Sequence, residues 1–222
     1  MKRFLWCICL YLVPFTICAQ QWKIEAGYNY LYANQWDSYI QTYNFSRPYL
    51  TTKQPLLQNG WCATVSHIFS GRKNIQQGIQ LSYSHFRSYS KQENFSNILN
   101  LNFLYAGYFL HFRNKGKWQN FYSEIMGGVR TSGLFRKSSS TASYEEEIPL
   151  NAMGIGGEIS YKLGYILQIK KKYSIAPFLS IGFTPFMYSP KSEVILNQTQ
   201  NLWSNQWSYL LNIQSGLSLS LN

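Results

Sequence analysis

Trp207-Ser208-Tyr209-Leu210-Leu211-Asn212-Ile213-Gln214-Ser215-Gly216-Leu217-Ser218-Leu219-Ser220-Leu221 is the stretch on which the fold turns. Tyr209, Leu211, Ile213, Leu217, Leu219 and Leu221 share one parity; Ser208, Asn212, Gln214, Gly216, Ser218 and Ser220 share the other. The period is two, that of a strand, and not the 3.6 of a helix. The stretch is longer than a usual soluble strand and its apolar side carries no charge. Both features suit a tilted strand with lipid on one face and a polar lumen on the other. A lone strand cannot sit in hydrocarbon, where each unpaired N–H or C=O costs several kcal/mol, so the chain must supply strands until the sheet closes.

The same alternation recurs upstream. Trp22, Ile24, Ala26 and Tyr28 oppose Lys23, Glu25, Gly27 and Asn29. Trp61, Ala63, Val65, His67 and Phe69 oppose Cys62, Thr64 and Ser66, and a Ser70–Asn74 turn leads to Ile79, Leu81 and Tyr83 opposing Gln76, Gly78, Gln80, Ser82 and Ser84. Leu99, Leu101, Phe103, Tyr105 and Phe109 face away from Asn100 and Asn102, which assigns them to the lipid side. After Asn114–Lys117, Phe121, Ile125 and Val129 oppose Asn120, Tyr122, Glu124, Gly128 and Arg130. Ile155, Ile159, Tyr161, Leu163 and Tyr165 oppose Gly156, Glu158, Ser160, Lys162 and Gly164. Beyond Lys170–Lys172, Ile175, Leu179, Ile181 and Phe183 oppose Ala176, Ser180, Gly182 and Thr184.

The connections between these strands alternate in length. Residues 34–59, 86–97, about 131–150 and 185–205 read as long polar loops, and the three basic turns between them are short. Eight antiparallel strands with long loops on one rim and short turns on the other predict an all-β, closed transmembrane barrel with both termini on the short-turn, periplasmic side. Ten strands is the alternative, if part of the first or last loop continues as an outer hairpin. The pattern resembles the small eight-stranded outer-membrane barrels of the OmpA transmembrane-domain, OmpX and OmpW type. That resemblance is architectural, covers the whole mature chain, and implies a bacterial outer-membrane location. The terminal Leu221-Asn222 departs from the aromatic ending common in such barrels.

Lys2 and Arg3, the apolar run Phe4–Ile17 and Ala19 before Gln20 read as a secretory signal peptide over 1–19, leaving 20–222 as the barrel domain. The Ala19-Gln20 junction resembles the leader junction common in Bacteroidetes. Cys7, Cys9 and Cys18 fall in this leader, so Cys62 remains alone and no internal disulfide is expected. Losing Lys2 and Arg3 lowers the formal charge from +11 to +9. With the basic residues in turns, and not in one aromatic-interleaved groove, the partners expected are outer-membrane lipids, lipopolysaccharide included, or an envelope protein, and not nucleic acid.

Three groups of residues could carry function. The lumen-facing parity holds Glu25, Glu124, Arg130, Glu158 and Lys162, which in so narrow an interior must pair, as a polar core or as a gated ion path. The short turns carry Arg72, Lys73, Arg113, Lys115, Lys117, Lys170, Lys171 and Lys172, either as headgroup anchors or as a docking ring. The long loops carry Trp36, Tyr39, Tyr43, Phe45, Tyr49, Phe135, Tyr144, Phe186, Tyr188, Trp203 and Trp207, to bind a partner or to cap the barrel.

Lipid-modifying hydrolysis needs a His beside its nucleophile, but Ser84 and His85 are adjacent and point to opposite faces. His67 and His111 read as interfacial side chains near the short turns. No ligand spacing among the histidines suggests a metal, and no cofactor is expected. The expectation is a non-enzymatic barrel presenting its loops, as a structural protein or an accessory subunit of an envelope complex such as a secretion or gliding machine. A narrow ion or solute channel is the alternative.

Overall fold

The strands arise where the sequence alternates, and they pair into a single ring. The computed structural model describes residues 21–45, 48, 50–72, 74–92, 95–140, 143–170, 173–188 and 207–221; the leader segment lies outside them. In chain order these form β1 (Gln21–Ala33), α1 (Asn34–Phe45), β2 (Asn59–Arg72), β3 (Ile75–Gln92), β4 (Phe95–Arg113), β5 (Phe121–Ser140), β6 (Ser143–Tyr165), β7 (Leu167–Lys170), β8 (Tyr173–Tyr188) and β9 (Trp207–Leu221). β7 continues β6 past Ile166, and both pair with β8, so together they make one stave. The ring β1–β2–β3–β4–β5–β6/β7–β8–β9–β1 is a closed antiparallel barrel of eight staves. Trp22 pairs with Leu221, which puts the start of β1 and the end of β9 on one rim.

The stagger of the closed ladder sets the bore. The partners run Gly164–Phe178–Gly216–Gly27–Cys62–Ser84–Phe103–Ser132–Gly154, returning to β6 ten residues above the start. Such a shear over eight strands leaves an interior only wide enough for side chains. Rings enter it by lying on glycines. Phe109 covers Gly78, Tyr105 covers Gly107 and Gly128, Tyr122 covers Gly164, and Phe186 covers Gly154 and Gly156. Gly116, at φ 67°, makes the left-handed turn that starts the 3-10 segment Gly116–Trp118 between β4 and β5.

The outward face carries Ile24, Val65, Ile79, Leu81, Leu104, Ile125, Val129, Ile159, Leu163, Leu179, Ile181, Phe183, Ile213 and Leu217, each 39–71% exposed. Among the described outward residues of this band there is no Asp, Glu, Lys or Arg. Buried Glu124, Arg130, Glu158 and Lys162 face inward, an arrangement inverted relative to a soluble protein and required by lipid.

Two expected loops are strands. Residues 86–92 and 95–97 belong to β3 and β4, paired up to Gln92↔Phe95, and 131–140 and 143–150 belong to β5 and β6, paired up to Ser140↔Ser143. The four strands β3 to β6 have 18, 19, 20 and 23 residues, whereas a span needs about 9–11. They project beyond the membrane as a blade. Polar Ser88 and Ser90 alternate there with Arg87 and Tyr89, and their backbones pair as well as any apolar strand's. β4 is also turned over relative to expectation: Leu99, Leu101, Phe103, Tyr105 and Phe109 are buried inside, and Leu104, Ala106 and Tyr108 face out. Asn100 and Asn102 lie above the apolar band, where the outer face meets water and the inner face meets a packed core.

The Gly164 site gives a clean packing test. Gly164→Val forces the Tyr122 ring aside and is expected to destabilise the barrel by about 1–3 kcal/mol. Tyr122→Ala is itself costly but removes the clash, so Gly164→Val/Tyr122→Ala is expected to lose less than the sum of the two single changes, whereas Gly157→Ala, with nothing near its Cβ position, is neutral. Urea unfolding in lipid vesicles measures each.

Candidate functional site

Three layers fill the lumen. In the layer nearest the terminal rim, Lys23 and Glu25 of β1 reach across to β5 and β6. Lys23 Nζ lies 2.6 Å from Glu124 Oε1 and 3.1 Å from Glu25 Oε1; Lys162 Nζ lies 2.7 Å from Glu25 Oε2 and 3.2 Å from Glu124 Oε2. His111 of β4 contacts Glu124 Oε1 through Nδ1 at 2.8 Å and stacks on Tyr122 at 4.9 Å. Arg113 Nε donates to His111 Nε2 at 3.5 Å, which leaves the Nδ1 proton for Glu124. Phe109 and Phe178 take the two ammonium groups over their faces, each at 5.0 Å.

The middle layer pairs Arg130 with Glu158 through Nε and Oε2, with Thr184 Oγ1 donating to the same carboxylate at 3.4 Å. The guanidinium lies over Phe103 at 5.3 Å. Around it Asn29 Nδ2 donates to Ser84 Oγ at 3.2 Å, and Thr64 Oγ1 to Ser82 Oγ at 2.8 Å. Across both layers three cations balance three carboxylates. All six are at most 5% exposed, so each charge is compensated where water cannot hydrate it.

The third layer closes the mouth. Leu31, Phe86, Leu101, Phe103, Leu134, Phe186 and Leu210 form an apolar cluster into which α1 inserts Trp36 and Ile40, and the segment after α1 inserts Leu57. That segment is tied to the blade. Gln54 Nε2 donates to Ser88 Oγ at 2.7 Å, Asn97 Nδ2 donates to Gln54 Oε1 at 3.0 Å, and Asn44 holds the Gln54 backbone from α1. Burial pushes the Asp37 carboxyl of α1 above the usual carboxylate range, opposed in part by hydrogen bonds from Gln58 and the Ala33 backbone.

The structure unites all five lumenal residues expected from sequence, but in two groups: Glu25, Glu124 and Lys162 in one, Arg130 and Glu158 in the other. Lys23 and His111 belong to the first group and were not foreseen there. Lys23 shares the inward parity of Glu25, so its signal was present. His111 was expected at the interface; the inverted β4 takes it inside, where Glu124 supplies its partner. His67 faces outward beside Trp22, with ring centroids 4.6 Å apart.

Of the loop aromatics, Trp36, Tyr43 and Phe186 are buried, which for these three favours the cap of the two readings. Phe135 is half-buried on the blade and Phe45 is 89% exposed. Tyr49 and Trp203, and the side chains of Tyr39, Tyr144, Tyr188 and Trp207, lie outside the described residues. On the terminal rim Lys115 and Lys117 are exposed in the β4–β5 turn, and Arg113 turns partly into the bore. Lys73, Lys171 and Lys172, with the side chains of Arg72 and Lys170, also lie outside the described residues. Ser84 points into the lumen and His85 outward, as their adjacency predicts.

The chain is thus a membrane-type β-barrel with a filled bore. No family model and no curated protein sequence matches it. Among solved structures it is similar to Neisserial surface protein A, at 8% identity over 91% of this chain and 96% of that one, with a TM-score of 0.46. It is also similar to Ail, the attachment invasion locus protein of Yersinia pestis, at 10% identity over 91% and 97%, with a TM-score of 0.43. The translocator domain of the autotransporter NalP from Neisseria meningitidis gives 7% identity over 100% and 96%, with a TM-score of 0.33. Values this low carry no argument about function, and the barrel rests on its own ladders.

Two outcomes follow from the packing of the bore. Glu124→Met strands Lys23 and Lys162 beside one carboxylate and is expected to cost about 3–5 kcal/mol, while Lys23→Met/Glu124→Met, which leaves Lys162 with Glu25, loses much less; a double-mutant cycle in vesicles reads the difference. For α1, the raised carboxyl means that docking is strongest below the unfolded pKa and weakens as pH rises through the folded one. Protection factors over 34–45, after division by the intrinsic exchange rate at each pH, are therefore expected to be largest at low pH in the wild type, and Asp37→Asn flattens that dependence.

Proposed function

We propose that this is a non-enzymatic barrel of the bacterial outer membrane whose working parts are the structures it raises above the long-connection rim, as a structural protein or an accessory subunit of an envelope complex. The reading takes the terminal rim as periplasmic, because the turns there are short and the blade and plug crown the other end. The observation that carries it is the bore, filled from rim to mouth by ion pairs and then by an apolar core. A conduit needs a wet path, and an acyltransferase or deacylase needs a reactive pair at the outer leaflet. The His–carboxylate contact present, His111 with Glu124, is buried among lysines at the opposite end. A secretion or gliding machine is a host compatible with such an accessory role.

The rival is a narrow channel gated by the Glu25, Glu124, Arg130, Glu158 and Lys162 network. In planar bilayers the wild type is expected to be silent, and Glu124→Ala silent too, because the apolar mouth stays closed. Current steps altered by neutralising Glu124 or Arg130 would make it a channel instead. Mild-detergent extraction with mass spectrometry of co-migrating proteins then separates the subunit, which brings a stoichiometric partner, from the lone structural barrel, which brings none.

A further inference from the structure

The outward face of the blade differs from the band below it. Trp61 and Tyr83, 5.3 Å apart, end the apolar band on β2 and β3. The next outward positions are His85 and Arg87 on β3, facing Asn102 and Asn100 on β4 through the pairs His85↔Asn102 and Arg87↔Asn100. Tyr83 donates its hydroxyl to Asn102 Oδ1 at 2.8 Å, and His85 Nδ1 lies 2.7 Å from the same oxygen. The acceptor end of Asn102 is thereby taken, which leaves its NH2 to donate outward. Arg87 is exposed and makes no ion pair among the described residues. The β2–β3 ladder stops at Gly60↔Phe86, and the same edge of β3 is taken up again by Thr52 at Lys91.

Further basic groups lie alongside. Lys91 is exposed two outward positions above Arg87, and the Thr52–Lys91 bridge brings Lys53 to the same edge. Of the carboxylates whose side chains are described, Glu25, Glu124 and Glu158 are in the bore and Asp37 is on α1; the run Glu145–Glu147 lies on β6, where Glu147 pairs with Lys137 of β5 and not with β3 or β4. The patch therefore offers a guanidinium fork and two amides, one of them held in place by His85, with cations above and membrane-interface aromatics directly beneath. A dianionic oxygen cluster tethered to acyl chains has this complement of needs: bidentate donors for its oxygens and rings at the level where its chains enter the bilayer.

We propose that Arg87, Asn100 and Asn102, the last oriented by His85, form a binding site for the phosphate of an outer-leaflet glycolipid. The proposal rests on the long-connection rim being extracellular, and its test separates the two. Native mass spectrometry of the detergent-solubilised protein compares retention of bisphosphorylated lipid A with that of its dephosphorylated form, a measurement indifferent to orientation. The wild type is expected to retain the phosphorylated lipid about tenfold better, as one charge-assisted contact is worth. Arg87→Gln/Asn102→Leu abolishes the preference, Arg87→Lys keeps part of it, and Lys117→Gln on the other rim leaves it intact. Heat-modifiable gel migration verifies that each variant is folded. No preference in the wild type, or one that survives Arg87→Gln/Asn102→Leu, overturns the site. Separately, a membrane-impermeant maleimide on intact cells is expected to label Lys91→Cys; failure to label a folded variant places this rim in the periplasm and overturns the lipid assignment even if the phosphate preference stands.

Discussion

The ladder between β9 and β1, twelve residue pairs from Trp22↔Leu221 to Ala33↔Leu210, joins the two ends of the sheet. In lipid that closure is obligatory, because an open edge would leave a row of amides and carbonyls with no water to satisfy them. Once eight staves close at this stagger the bore is fixed, and much else follows from its size. Rings fit only where a neighbouring strand offers glycine, as Tyr122 does over Gly164. Charged side chains fit only in mutually neutralising sets, since a bore packed with side chains holds too little water to hydrate a lone Lys162 or Glu124.

How far the sequence disclosed this depended on what surrounded each strand. β1, β2, the lower half of β3, β5, β6, β8 and β9 have lipid outside and a polar bore inside, so apolar and polar residues alternate and the parity of Glu25, Glu124, Arg130, Glu158 and Lys162 was legible. β4 was not. Its lower half is largely apolar on both faces, with Phe109 inside and Tyr108 outside, so between Leu99 and Phe109 the polar markers were Asn100 and Asn102. Those lie above the membrane, where the rule reverses: outside is water and inside is the Leu31–Phe103–Phe186 core. A parity read from them puts the strand in backwards, and His111 goes with it.

The upper strands were hidden for a related reason. Arg87-Ser88-Tyr89-Ser90 has the composition of a loop, and hydropathy gives it no inside. Its inside is supplied by a segment thirty residues away in sequence, where Gln54 meets Ser88 and Asn97. Contacts of that kind depend on geometry that composition does not encode. α1 is similar: its own apolar pattern is weak, and it holds because Trp36 and Ile40 find a ready cavity in the barrel mouth. The barrel is thus a membrane protein in its lower half and resembles a soluble one in its upper half, with the change of solvent falling at the level of Trp61 and Tyr83.

The struts Lys23–Glu124 and Lys162–Glu25 join residues 101 and 137 positions apart along the chain. Neither can form while the sheet is still flat, because β1 meets β5 and β6 only across a finished bore. Until then the future inner surface shows a row of unneutralised ammonium and carboxylate groups, while the described residues of the future outer band between the rims carry no charge. A sheet so divided has a built-in direction of insertion: the uncharged side enters the bilayer, the charged side keeps its water to the last, and the final dehydration coincides with the moment the cylinder shuts.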